Sequence, residues 1–124
     1  MSEPAKKILI VEDDPDHVKA LTLRLRAAGY DLLTARDGMQ AVAVARREKP
    51  DVIILDLGLP GGDGYQVLRR LKVLGPLASI PVIVLSARDP AVHREKSLEA
   101  GAIAFFQKPP DSDVLLELIR QSTA

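Results

Sequence analysis

The chain has no cysteine and no tryptophan, and its aromatic residues are two tyrosines and two phenylalanines among 124 residues. Without thiols there is neither a disulfide framework nor a thiolate metal site, a composition that suits a reducing compartment. The core must come from aliphatic side chains, and at this length folding hides roughly two-thirds of the unfolded surface, enough for one domain. An excess of either charge is also missing, since 17 Lys and Arg balance 17 Asp and Glu. That removes the electrostatic footprint needed to bind a phosphate backbone, so direct contact with DNA or RNA is disfavoured. No apolar run approaches the roughly 18 residues of a membrane span, and Met1 to Lys7 lacks the apolar centre of a signal peptide. The expectation is a single domain over residues 1–124, cytoplasmic, off the membrane, with no output domain in the chain.

What is present is a regular alternation. Ile8-Leu9-Ile10-Val11, Leu32-Leu33-Thr34-Ala35, Val52-Ile53-Ile54-Leu55, Pro81 to Ser86 and Ala104-Phe105-Phe106-Gln107 read as strands. Their apolar runs do not alternate, which suits strands covered on both faces. Between them lie amphipathic segments. Pro15 to Ala28 places Val18, Leu21, Leu25 and Ala28 on one stripe, and Gly29 stops it. Gly38 to Glu48 carries Met39, Val42 and Ala45 and ends at Lys49-Pro50, where the residue before proline avoids the α region. Tyr65 to Leu74 repeats Val67, Leu68, Leu71 and Leu74, with Gly75-Pro76 to break it. Pro90 opens a fourth helix that runs to Ala100, and Asp111 or Ser112 caps a last one carrying Val114, Leu115, Leu118 and Ile119. Five strands alternating with five helices imply an α/β, doubly wound parallel sheet with right-handed crossovers. Two strand orders are plausible for five such units. In the flavodoxin-like order 2-1-3-4-5, strand three is central between strands one and four, and ligands sit beyond the carboxyl ends of strands one and three.

The residues at those ends should converge. Strand one ends in Glu12-Asp13-Asp14, strand three in Asp56, strand four in Ser86 and strand five in Lys108. Crowded carboxylates repel and raise one another's pKa values, so such a pocket calls for a cation. Oxygen ligands without His or Cys favour Mg²⁺ or a similar hard ion over zinc. The first strand-to-helix turn presents acids rather than glycine-rich backbone, which argues against a nucleotide or flavin. With a divalent ion present, a phosphoryl group on Asp56 becomes possible, Lys108 neutralising one oxygen and Ser86 donating to another.

Val11-Glu12-Asp13-Asp14, the segment Leu55 to Gly64, Val84-Leu85-Ser86-Ala87 and Lys108-Pro109 together resemble the blocks of the bacterial two-component response-regulator receiver domain. The resemblance covers nearly the whole chain, with four blocks in the right order, each at a strand end. It implies that Asp56 is the phosphoacceptor and that Asp13, Asp56 and the carbonyl of Gly58 bind Mg²⁺, with Glu12 assisting through water. It implies that Ser86 and Lys108 contact the phosphoryl oxygens, that the Lys108–Pro109 bond is cis, and that Ser86 and the residue at Phe105 take part in switching. The implied partners are a sensor histidine kinase or histidine phosphotransfer protein and a downstream protein met at the face of helix four, strand five and helix five. The domain is then a switch and not an enzyme beyond its own phosphotransfer and dephosphorylation.

The chain departs from the family pattern at several positions. Ser86 stands where many members have threonine, Phe105 where a tyrosine is frequent, and Pro110 where phenylalanine commonly follows Lys-Pro. Gly58 leaves room for water beside the acyl phosphate, which implies a short phosphorylated lifetime. Asp14 reads as a helix cap, His17 and His93 as exposed helix residues, and Gly61, Gly62 and Gly64 as loop geometry rather than a phosphate cradle. Two rival readings remain: a receiver-like docking module that works without phosphorylation, and a phosphohydrolase of the haloacid-dehalogenase kind. The latter also uses a strand-end aspartate but wants a second acid two residues on, where Gly58 stands.

Overall fold

A computed structural model describes residues 4–59 and 64–124, so Gly61 and Gly62 lie outside the described residues. Its elements are β1 Lys7–Val11, α1 Pro15–Ala27, β2 Asp31–Ala35, α2 Gly38–Glu48, β3 Val52–Leu55, α3 Gly64–Val73, β4 Val82–Ser86, α4 Pro90–Glu99, β5 Ala104–Gln107 and α5 Ser112–Ser122. The strands form one parallel sheet in the order β2-β1-β3-β4-β5, the flavodoxin-like order.

Side chains along a strand point alternately to the two faces, and here both faces are buried. Leu9, Val11, Ile53, Leu55, Val82 and Val84 pack with the α2 and α3 residues Ala41, Val42, Ala45, Val67, Leu68 and Leu71. On the other face Ile8, Ile10, Ile54, Ile83 and Leu85 pack with Leu25 of α1 and Leu115 and Ile119 of α5. Each fully buried Leu or Ile stabilises the fold by about 1.5–3 kcal/mol relative to exposure, so the central strands anchor the sheet.

Local chemistry sets the helix ends. Asp14 Oδ1 accepts from the amides of Asp16 and His17 at 2.9 and 3.4 Å, and Asp111 Oδ1 accepts from Asp113 and Val114 at 3.0 and 3.2 Å. Lys49, ahead of Pro50, ends α2 in the left-handed region at φ 48°. Some apolar positions expected inside are outside. Met39 is 81% exposed and Val114 54%, and on the α1 stripe only Leu25 is buried. Gly75-Pro76 does not merely break α3, because the proline starts a 3₁₀ turn over Gly75–Ser79 whose Leu77 is buried. No helix among the described residues is long and apolar enough to cross a membrane.

Candidate functional site

The site follows from register. Val11 pairs with Leu55 across β1 and β3, so Glu12 and Asp56 leave the sheet side by side. The Asp56 amide donates to Val11 O at 3.0 Å, carrying the ladder one residue beyond β3. Carboxylate oxygens of Glu12, Asp13 and Asp56 all lie within 4.8 Å of one another. Lys108 enters from the end of β5, its amide donating to Ser86 O at 2.8 Å, and the peptide bond from Lys108 to Pro109 is cis. Its ammonium donates to Glu12 Oε1 and lies 3.5 Å from Asp56 Oδ2.

The neighbours of the two strand-end acids differ. Glu12 Oε2 accepts from the amides of Asp13 and Asp14 at 3.0 and 3.3 Å, which fixes the plane of that carboxylate. Asp56 Oδ1 accepts from the Gly58 amide at 3.2 Å, and Oδ2 faces Lys108. Burial pushes the Glu12 carboxyl above its usual range, with the nearby Asp56 pushing the same way and Lys108 opposing both. Asp14 is held low by the amide of Asp16, as a capping acid should be. Three carboxylates with no nitrogen or sulfur ligand among them fit a hard divalent cation such as Mg²⁺.

Ser86 is buried, and its Oγ accepts from the Arg88 amide at 3.1 Å, so its tie to the cluster runs through the backbone bond from Lys108. Phe105 is placed elsewhere: it is 4% exposed, within the core cluster, with the Arg94 guanidinium of α4 at 5.9 Å from its ring centroid. Beside the cluster a cavity of about 400 Å³ runs between α1 and the start of α5, lined in part by Leu21, Leu85, Pro110 and Leu115.

Both histidines do more than the sequence suggests. His17 Nδ1 lies 3.2 Å from Lys108 Nζ and 3.3 Å from Glu12 Oε1. His93 is half-buried and shares a 2.6 Å hydrogen bond with the hydroxyl of the buried Tyr65, joining α4 to α3. His17 stands in the first turn of α1, directly after Glu12-Asp13-Asp14.

A parallel sheet in this order with an acid cluster and a lysine beyond its carboxyl edge defines a flavodoxin-like α/β domain with a cation-ready pocket. Residues 8–120 match the model of the response regulator receiver domain, and the chain belongs to that family. The response regulator PleD of Caulobacter vibrioides is 40% identical over 117 residues, covering 94% of this chain but 26% of PleD, so the chain spans about a quarter of that relative. Protein PilH of Pseudomonas aeruginosa is 37% identical over 113 residues, covering 91% of this chain and 93% of PilH. Among solved structures, the receiver domain of the sensor histidine kinase PA1611 of Pseudomonas aeruginosa, with a magnesium ion in its active-site cleft, matches with a TM-score of 0.86. That match is at 30% identity and covers 97% of this chain and 98% of that one. Receiver domains are signalling domains of two-component systems.

Proposed function

We propose that Asp56 accepts a phosphoryl group from a phosphohistidine on a sensor histidine kinase or histidine phosphotransfer protein, in the cytoplasm. The modified domain then favours a downstream protein at the face formed by α4, β5 and α5. The convergence of the Glu12, Asp13 and Asp56 carboxylates within 4.8 Å, beside the Lys108 ammonium, carries this reading.

In the transfer an Asp56 oxygen attacks phosphorus, an O–P bond forms, and the P–N bond to the donor imidazole breaks. The imidazole leaves with that electron pair and takes up a proton. Lys108 neutralises one phosphoryl oxygen, and the Ser86 hydroxyl, whose oxygen already accepts from Arg88, is free to donate its proton to another. Asp13, Asp56 and the Gly58 carbonyl would hold Mg²⁺, with Glu12 acting through water. When bound, the ion supplies the positive charge that lets an anionic phosphoryl group approach an anionic pocket. The magnesium in the PA1611 receiver supports this assignment. Inverting a 1:99 equilibrium between two conformations takes about 5.5 kcal/mol of differential interaction, which the new phosphoryl contacts must provide. Ser86 would report the phosphoryl group, and Phe105 would relay it by packing against α4 rather than by a hydroxyl.

The test is incubation with Mg²⁺ and a small acyl-phosphate donor, followed by intact mass. One added phosphoryl group is expected on the wild type and none on Asp56→Asn. A wild type that binds Mg²⁺ yet forms no adduct would favour the phosphorylation-independent docking module. Turnover of many organophosphates would favour the hydrolase.

A further inference from the structure

We infer that Tyr65 and His93 form a latch between α3 and α4, closed while Asp56 is unmodified, and that a phosphoryl group on Asp56 acts on the α4 face by opening it. This rests on the phosphoacceptor reading and adds to it two residues that none of the strand-end motifs contains.

A helix ordinarily docks on a sheet by burying an apolar face. Alone among the five helices, α4 buries no apolar side chain: its one buried residue is Ser97, whose Oγ donates to His93 O at 2.7 Å. Val92 and Leu98 are 60% and 43% exposed. Directional contacts take the place of that face. Tyr65, in the first turn of α3 and 1% exposed, shares the 2.6 Å hydrogen bond with His93 Nδ1. The bond stands wherever the proton lies, since a neutral Nδ1 accepts from the hydroxyl and a protonated one donates to its oxygen. The two rings stack with centroids 5.9 Å apart and planes at 25°. Three residues on, and so on the same side of the helix, the Lys96 ammonium lies 4.6 Å from the Tyr65 ring centroid.

Both ends of this latch lead back to Asp56. Tyr65 directly follows Gly64, whose amide donates to Leu57 O at 2.9 Å, so α3 begins at the base of the loop that leaves Asp56. His93 lies in the first turn of α4, and the segment entering that helix is tied to β4 by the 3.1 Å bond from the Arg88 amide to Ser86 Oγ. A phosphoryl group that draws in the Ser86 hydroxyl pulls this segment toward the end of β3, while Tyr65 stays with α3. The Tyr65–His93 bond opposes that shift and gives way to it. With no apolar face to hold it, α4 is then released to a partner. By linkage, a bond made only in the unmodified state opposes phosphorylation, and its removal favours the modified state by the same factor.

The test titrates beryllofluoride, a tetrahedral phosphoryl analogue that binds reversibly, into the intact chain at saturating Mg²⁺, followed by ¹⁹F NMR. Tyr65→Phe and His93→Leu are each expected to bind it about 5-fold more tightly than wild type. The double variant should bind no more tightly than either single one. His93→Asn, whose carboxamide reaches the hydroxyl near the position of Nδ1, should return toward the wild-type affinity. Beryllofluoride should also speed amide exchange in α4 of the wild type and add little in Tyr65→Phe. A pair that merely supports the fold would leave the affinity unchanged or weaken it. Tyr65→Phe binding no more tightly than wild type, additive effects in the double variant, or α4 exchange unmoved by beryllofluoride in the wild type overturns the latch. A wild type that neither binds beryllofluoride nor forms an adduct with an acyl phosphate overturns the phosphoacceptor reading itself, so the two failures are told apart.

Discussion

Gly64→Ala puts a methyl group against the backbone that positions Asp56. Gly64 is buried at the start of α3, and its amide donates to Leu57 O at 2.9 Å, closing the base of the loop that follows Asp56. A Cβ there would lie 2.5 Å from Leu57 Cα, 2.7 Å from Asp56 O and 2.9 Å from Leu57 O, whereas ordinary contact begins near 3.4 Å. All three are main-chain atoms, so no rotamer change relieves them and the chain itself must move by about 1 Å. With only main-chain atoms to give way, the cost lies at the top of the usual overpacking range, about 3 kcal/mol, and alanine returns at most ~1 kcal/mol in helix propensity. A net loss of about 2 kcal/mol is expected, equivalent to a Tm lower by roughly 8 °C in a domain of this size. Gly38→Ala is the comparison: its Cβ would meet Val67 Cγ2 at 2.7 Å, a side-chain methyl on α3 that can shift, so about 1 kcal/mol or less is expected. Urea unfolding of the three proteins with unchanged m-values measures the difference, and the phosphorylation rate of Gly64→Ala should fall because the Asp56 carbonyl is among the displaced atoms. If Gly64→Ala unfolds within about 0.5 kcal/mol of wild type, or no more easily than Gly38→Ala, the steric reasoning is wrong.

Three further outcomes are expected. A Cβ on Gly58 would stand 3.9 Å from both Asp56 carboxylate oxygens, ordinary contact, so Gly58→Asn fits and screens the acyl phosphate from water. Its phosphorylated half-life should lengthen by about threefold or more, a barrier change of ~0.7 kcal/mol, and equal decay of the two proteins in a chase experiment refutes this. Tyr65→Phe removes the bond to His93, which should cost about 1 kcal/mol and speed amide exchange in α4, an effect that unchanged α4 protection would contradict. Because burial raises the Glu12 carboxyl, the folded protein holds that proton more tightly than the unfolded chain does. The stability it contributes is therefore present at low pH and lost as pH rises from the ordinary glutamate value through the raised one. Glu12→Gln should thus gain stability relative to wild type as pH rises across that window, and a pH-independent difference in urea midpoints would rule out the assigned shift.

What could be read from the sequence depended on which rule placed each residue. Val52–Leu55 is a strand to the residue because an apolar run between two polar ends has one way to sit in a covered sheet. Glu12, Asp13 and Asp56 were visible for the same reason, each following closely on a buried strand, and Lys108 follows the half-buried edge strand β5; parallel strands bring their ends together. Helix faces were less legible. Spacing puts Met39 and Val114 on apolar stripes, but both are exposed while Ala41, Val42 and Leu115 beside them are buried, so the covered stripe is narrower than the spacing implies. His17 belongs with them. Its contact with Lys108 depends on how α1 leans over the strand ends, and no local pattern encodes that angle. His93 was hidden likewise, because its partner Tyr65 stands on another helix, 28 residues away in the chain.

The same geometry explains why two neighbouring acids at the ends of adjacent strands are unequal. Glu12 is held by two amides through one oxygen and by Lys108 through the other. It is the less exposed of the two, at 7% of its side chain against 14% for Asp56. A buried pair of this kind adds little net stability, since desolvation offsets most of the attraction. Its consequence is positional. Bonded to Glu12, the ammonium stands 3.5 Å from Asp56, too far to bond tightly to that carboxylate and, on the proposed phosphotransfer, near enough to meet a phosphoryl oxygen. On the proposed phosphotransfer, Asp56, with one amide bond and the greater exposure, is the acid whose oxygen would react. If the proposed phosphotransfer holds, environment and not residue type separates the carboxylate that binds the lysine from the one that would meet phosphorus.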